Sequence, residues 1–344
     1  MKSRTILILI LFTFFVSAAW PQAQPQWKHK IITYEVPGAG NGAGQGTQAF
    51  GINSSGEVAG LYTDANSGNH YNFTTVDSPG LYQEVDTGWF VTWVNNSGLV
   101  SQMYIGIDGN THTAVLLEDG WKVIDVPGAT NTAGTNANSQ GQIALTYWGA
   151  DGVAHLAIWK EGRYSYVNDP CPAEYTYGLA VGINDLGQVT SYVVDSNGVS
   201  LACVGSRRNH PNRGAVFGFP GAVGTIPIMT NDLGVTVGAY WDAQGVQHGF
   251  VHYMIGNVFT SVDFPRASNS WVQGINDEGI MNGSAQLNAS GNWAGFEIIG
   301  GHIEDWNVPD AVQTDLFVIT NNLRVAGLYQ SADGVWHGFV ATPR

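Results

Sequence analysis

Cysteine is scarce in this sequence: Cys171 and Cys203 are the two among 344 residues. A fold stapled by disulfides needs a denser framework. Neither a Cys-x-x-Cys pair nor a His-Glu-x-x-His helix accompanies them, so no metal is expected. Positive charge is also thin. Thirteen Lys and Arg face 27 Asp and Glu, a formal charge of −14, which argues against nucleic acid, whose affinity rests on cations neutralising phosphates. Long apolar runs are missing: the best, Ile6 to Val16, falls well short of the ~20 residues of a membrane span. Beyond it no ten-residue stretch carries the helical apolar period. A Gly-x-Ser-x-Gly nucleophile elbow is absent. The glycine-rich run Gly38 to Thr47 lacks the closing Gly-Lys-Ser/Thr of a phosphate loop and reads as a flexible segment, so no cofactor is indicated. What the chain does have is 45 Gly, 12 Trp, 14 Tyr and 14 Phe. The glycines are not spaced every third residue, which excludes collagen, and the aromatics suffice for a large core.

The amino terminus has the pattern of a secretory signal peptide. Lys2 and Arg4 precede the apolar run, and Ser17, Ala18 and Ala19 follow it, the charged, apolar and small-residue order of such segments. Cleavage after Ala19 is favoured over Ala23. It leaves 325 residues at charge −16, expected to be secreted or periplasmic. Residues 20–30 then read as a short linker. An oxidising compartment permits a disulfide between Cys171 and Cys203.

The remainder repeats seven times. An Asn-x-x-Gly turn recurs at Asn53, Asn95, Asn138, Asn184, Asn231 and Asn276, and the series continues as Asn321-Asn322-Leu323-Arg324, where the glycine is lost. The intervals are 42, 43, 46, 47, 45 and 45 residues. A second series places proline at Pro37, Pro79, Pro127, Pro170, Pro220, Pro265 and Pro309. Two positions before these stand Glu35, Asp77, Asp125, Asn168, Gly218, Asp263 and Asn307. A shared period of this length marks propellers and other repeat arrays.

Each copy holds four short β-type runs separated by Gly, Asn and Asp, as in Val272–Ile275, Ile280–Ala285, Trp293–Ile298 and Ile303–Val308. The expected fold is all-β, a seven-bladed β-propeller of four-stranded repeats of about 45 residues over residues 31–344. An open solenoid would want polar end caps, which are not evident. The chain starts on a fourth-strand pattern, Ile31 to Pro37, and ends on a third-strand pattern, His337 to Val340. Pairing the two closes the ring and hides its edges. The first copy is short between Tyr62 and Asp77, so His70 to Val76 must serve as its third strand, its fourth, or a poor version of both.

These motifs resemble the HAF-type repeat of secreted bacterial proteins. The pieces are Val126-Pro127-Gly128-Ala129, Gly182-Ile183-Asn184-Asp185-Leu186-Gly187, Val237-Gly238-Ala239-Tyr240 and His248-Gly249-Phe250. The resemblance implies propeller-like repeats and a location outside the cytoplasm. It implies no agreed chemistry, and no catalytic residues carry over. Gly218, Arg324 and the first unit depart from the pattern.

Repeated residues build a ring, so function is sought where the copies differ. The turn asparagines are expected to bond their own backbone two residues onward, and the glycines of Val-x-Gly-x-Tyr to let the inner strands approach closely. His112, His155, His248 and His337 share one place in four copies and point to a shared structural bond rather than a metal. Asp77, Asp125 and Asp263 read as turn or inter-blade acceptors. The copies vary between each proline and the next inner strand, on one face of a propeller. That face is expected to bind ligand through Tyr82, Glu84, Asp86, Trp89, Glu174, Tyr175, Tyr177, Arg266 and Trp271. Aromatics beside acids suit carbohydrate; an extracellular protein surface is the other partner considered. The rival reading is a hydrolase or lyase using paired carboxylates among Glu84, Asp86, Glu174, Asp310 and Asp315. A third is a purely structural or adhesive envelope module. The basic insertion Ser206 to Arg213 is expected away from the aromatic loops.

Overall fold

A computed structural model describes residues 29–75, 92–134, 136–150, 152–168, 175–207, 214–288 and 290–343. The first strand, β1 (His29–Tyr34), starts two residues inside the expected linker. Blade one holds β2 (Thr47–Ile52), β3 (Val58–Thr63) and β4 (His70–Thr74). Blade two holds β5 (Thr92–Val94), β6 (Val100–Ile105), β7 (Thr111–Leu117) and β8 (Gly120–Val123). In blade three are β9 (Asn131–Ala133), β10 (Ile143–Trp148), β11 (Ala154–Lys160) and β12 (Arg163–Asn168). Blade four has β13 (Thr176–Ile183), β14 (Val189–Val194), β15 (Ser200–Arg207) and β16 (Ala215–Phe217). Blade five has β17 (Gly224–Thr230), β18 (Val235–Trp241), β19 (Gln247–Tyr253) and β20 (Val258–Val262). Blade six has β21 (Ala267–Ile275), β22 (Met281–Leu287), β23 (Trp293–Ile299) and β24 (His302–Trp306). Blade seven has β25 (Gln313–Ile319), β26 (Val325–Gln330) and β27 (Trp336–Pro343), and β1 is its fourth strand.

Each blade is an antiparallel meander, and each blade's first strand lies innermost. The pairing of β1 with β27 runs from His29 opposite Pro343 to Tyr34 opposite Gly338. It joins the chain's start to its last blade, so β27 is not left as an open edge. The chain is a seven-bladed β-propeller. In blade one, β4 is the third strand, paired along β3; residues 76–91 lie outside the described ones. Blades three and four are also tied at their rims, where Val167 and Asn168 pair with Arg207 and Ser206.

Local chemistry explains the repeats. Each Val-Pro-Gly-Ala segment is a tight turn, with Ala129 N–H donating to Val126 C=O at 3.0 Å and Gly128 at φ +81°. Proline presets the second position and the third needs a left-handed residue, hence glycine. Arg266 and Asp310 fill that third position in blades six and seven at φ +65° and +63°. A β-bulge recurs in the innermost strands β2, β13, β17, β21 and β25. Beside it the strand carbonyl presses on the glycine of the second strand: a Cβ on Gly238 would sit 2.2 Å from Ile226 O and 2.9 Å from the Phe250 ring. Gly60, Gly283 and Gly327 meet the same obstruction. The close approach is therefore within a blade, between its first and second strands. Phe250 and Phe339 of the His-Gly-Phe motifs, and Phe296 of Ala294-Gly295-Phe296, cap those glycines and are fully buried, each burial contributing about 2–3 kcal/mol.

Candidate functional site

The Asn turns meet around the central channel. Each asparagine accepts from its own backbone four residues onward and, except at Asn184, two residues onward as well; Asn231 Oδ1 takes Leu233 N–H at 3.1 Å and Val235 N–H at 2.9 Å. Its side-chain N–H then crosses to the next blade. Asn53 donates to Asn95 O at 2.8 Å, Asn95 to Asn138 O at 2.6 Å and Asn138 to Asn184 O at 2.9 Å. Asn184 donates to Asn231 O at 3.1 Å, Asn231 to Asn276 O at 2.9 Å and Asn276 to Thr320 O at 3.3 Å. The seventh member is thus Thr320, not Asn321. Leu323, at φ +62°, takes the glycine place, and its N–H closes on Thr320 O at 3.0 Å. Asn321 belongs to a second tier formed by the next residue of each turn, accepting the Asp277 N–H at 2.9 Å. In that tier Asp185 N–H meets Asp232 Oδ1 at 2.9 Å, and Asp232 N–H meets Asp277 Oδ1 at 3.0 Å. Asn322 completes the circle by donating to Ser54 O at 2.8 Å.

Three acids on adjacent blades therefore crowd this mouth. Burial, then the neighbouring Asp277 and Asp185 charges, hold the Asp232 carboxyl above its usual range. The turns enclose about 150 Å³, below the roughly 300 Å³ at which small-molecule sites begin. This mouth is a structural hub.

The opposite face carries the proline turns and the hairpins between second and third strands. Of the residues expected there, Tyr82, Glu84, Asp86, Trp89 and Glu174 lie outside the described residues, as do Asp77 and Cys171. Cys203 is buried in β15 beside the core of blades three and four. Tyr175 is half-buried against that core, and Tyr177 stands in β13 opposite Val193. Arg266 and Asp310 are exposed in their turns. Trp271 is half-buried in β21, and its indole N–H has no acceptor among the described residues. Asp315 occupies the matching place in β25 and turns toward blade six. It accepts from Gln273 Nε2 at 2.8 Å and from the Ser284 hydroxyl, while burial raises its carboxyl well above the ordinary value. Asp310 and Asp315 are thus placed differently, one on an exposed turn and one in a contact between blades. The segment Gly38 to Thr47, expected to be flexible, is pinned: Trp336 N–H donates to Gln45 O at 2.8 Å and Gly44 N–H to Gly334 O at 2.9 Å.

The side chains of the repeated histidines and acids form clasps within single blades, while the Asp125 C=O accepts the Tyr164 O–H of blade three at 2.8 Å. His112 Nδ1 meets Asp125 Oδ2 at 2.5 Å and its Nε2 meets Asp108 Oδ1 at 3.1 Å. His248 repeats this with Asp263 at 2.5 Å and Asp242 at 3.2 Å. His337 joins Glu35 and, at 2.9 Å, Ser331. The rings stack on Tyr104, Tyr240 and Tyr329, and His155 packs on Tyr147 in the same way. Two carboxylates on one imidazole demand an N–H at both nitrogens, which only the cation has. The Asp125 bond lifts His112 above its usual value despite opposing burial. For His248 burial is the largest influence, yet the two acids outweigh it and the net displacement is upward. The His112 bond, aided by Asn110, draws Asp108 down to about 2.

Sequence reasoning missed two things. A Thr or Ser near the start of the innermost strand accepts the N–H before the preceding proline, as Thr132 does from Val126 at 3.0 Å and Ser270 from Phe264 at 3.0 Å. The six-residue spacing from Val126 to Thr132, Phe219 to Thr225, Phe264 to Ser270 and Val308 to Thr314 was the available signal. Tryptophans also collect on the proline-turn face. Trp148 and Trp241 end second strands, Trp293 and Trp336 begin third strands, and all four are half-buried.

No family model and no curated protein matches this sequence. Among solved structures, the β-propeller domain of the Trilobed protease from Pyrococcus furiosus is similar at TM-score 0.56 and 10% identity. The match covers 86% of this chain and 95% of that one, and it shows the fold alone. The BP39L lectin from Burkholderia pseudomallei (TM-score 0.46, 14% identity, 92% and 96% covered) and the Aleuria aurantia lectin (0.44, 10%, 80% and 97%) are looser matches. Likeness at that level says nothing about a ligand.

Proposed function

We propose that this chain is an exported ligand-binding propeller that recognises carbohydrate through its proline-turn face. The carrying observation is the gathering of Trp148, Trp241, Trp293 and Trp336, each half-buried, at strand ends on the side where the copies diverge most. A partly exposed indole covers the apolar face of a pyranose, and nearby polar groups such as Arg266 and Asp310 set orientation. The engagement of Asp315 with Gln273 and Ser284 favours binding over cleavage, because a hydrolytic pair needs two carboxyls facing one bond at roughly 5–9 Å. Export rests on the pattern of residues 1–19, and kinship with secreted HAF-type repeat proteins on the turn and strand motifs.

The test is a glycan array probed with the mature protein, folded state confirmed by circular dichroism. Binding to a related group of sugars, weakened at least tenfold in Trp241→Ala or Trp148→Ala, is the expected result. Folded protein with no reproducible glycan signal would overturn the carbohydrate reading.

A further inference from the structure

The opposite face holds a cleft walled in part by the Asn turns of blades two and three. It lies between blades two and three, encloses about 470 Å³ and is three times the size of the channel cavity. Its floor is Leu99, Leu117 and Trp159, continuous with the core between those blades. Trp159 is only 4% exposed, so the floor receives an apolar group end-on and offers no open ring face for a sugar. Two charges line the same cleft. Lys122 stands in the outermost strand of blade two, and Glu161 in the last hairpin of blade three, held at φ +48°. Both are exposed, and among the described residues no ion pair joins them. Other polar groups of the rim are engaged: Gln140 donates to Asp185 O at 2.6 Å, and the Ser97 hydroxyl bonds Asn95. The unspent polar chemistry is therefore one cation and one anion at the edges of an apolar floor.

We propose that this cleft binds a zwitterionic apolar dipeptide, its carboxylate toward Lys122, its ammonium toward Glu161 and its apolar side chains on Leu99, Leu117 and Trp159. A fatty acid would match Lys122 but set its carboxylate near Glu161 with nothing to offset it, and a neutral sugar would leave the apolar floor poorly covered. The volume falls within the ordinary range of small-molecule sites.

Isothermal titration of the mature protein with Leu-Leu tests this, with the doubly capped N-acetyl amide, methyl α-L-fucoside and laurate as comparison probes. Binding of Leu-Leu at millimolar affinity or better is expected, at least tenfold weaker for the capped form. Lys122→Ala and Glu161→Asn should each weaken it about tenfold; both sites are exposed, and asparagine tolerates the left-handed backbone, so folding is preserved. No heat with Leu-Leu up to 10 mM, equal binding of the capped form, or Leu-Leu binding that survives both substitutions would overturn the proposal. Fucoside binding unaffected by those substitutions would locate sugar recognition elsewhere and leaves the dipeptide result to stand or fall separately.

Discussion

Replacing Asn231 by alanine isolates the contribution of the inner ring. The side chain is 4% exposed and makes three bonds: two to its own turn and one, at 2.9 Å, to Asn276 O across the blade boundary. Each is worth about 1 kcal/mol net, and the loss leaves Val235 N–H buried without its partner while Asn276 C=O keeps only the Gly279 N–H of its own turn. The expected destabilisation of Asn231→Ala is about 3–4 kcal/mol, a large share of a typical stability of roughly 5–15 kcal/mol. At about 2 °C per kcal/mol for a chain this long, Tm should fall by roughly 6–8 °C. Scanning calorimetry at fixed rate, backed by urea denaturation, reads it. Asn197→Ala is the matched control: its side chain is exposed and reaches only Asp195, at 3.4 Å, so its loss should cost less than about 0.5 kcal/mol. Equal shifts for the two variants would refute the reasoning. So would wild-type stability in Asn231→Ala, since the same ring position is filled by Thr320 without a side-chain amide.

Two titrations are also expected. His112 and His248 sit above their usual value, so the stability they contribute is complete below about pH 6.5 and is lost as pH rises through the folded-state value. The Tm gap between wild type and the double variant His112→Gln, His248→Gln should shrink from pH 6 to pH 9; a constant gap would contradict the doubly bonded imidazolium. Asp315 has the opposite consequence at neutral pH. Its raised carboxyl favours the folded state when protonated, and that contribution disappears as pH climbs from the unfolded value near 3.8 through the folded one. Asp315→Asn should therefore equal or exceed wild-type stability in urea at pH 7.5 and lose that advantage at pH 4. A variant clearly weaker than wild type at pH 7.5 would show that the Gln273 and Ser284 bonds need the full charge.

Much of the architecture was legible because it is written in local chemistry. Pro127 and Gly128 specify a turn by their own backbone preferences, and Asn184 with Gly187 does the same. The site was far less legible. Trp148 and Trp336 are unremarkable as letters, since each is a strand-end aromatic in a different copy; their shared face appears only when second and third strands are laid side by side. Asn321 misled because it keeps the residue type of the turn while Thr320 keeps the geometry, and geometry is set by which carbonyl Asn276 reaches. Asp125 and His112 are 13 residues apart, a separation that no turn or helix rule connects.

The sequence by itself determined the number of blades, the strand alternation within them and the closure of the ring by its first strand. Those follow from period, turn residues and phase, each a property of a short stretch of chain. The tertiary structure decided what faces what. The inner ring joins residues 42 to 47 positions apart, the clasp of His337 and Glu35 spans almost the whole chain, and the cleft beside Lys122 and Glu161 belongs to two blades at once. Contacts of that kind depend on how one packed sheet settles against the next, and no local preference encodes that distance.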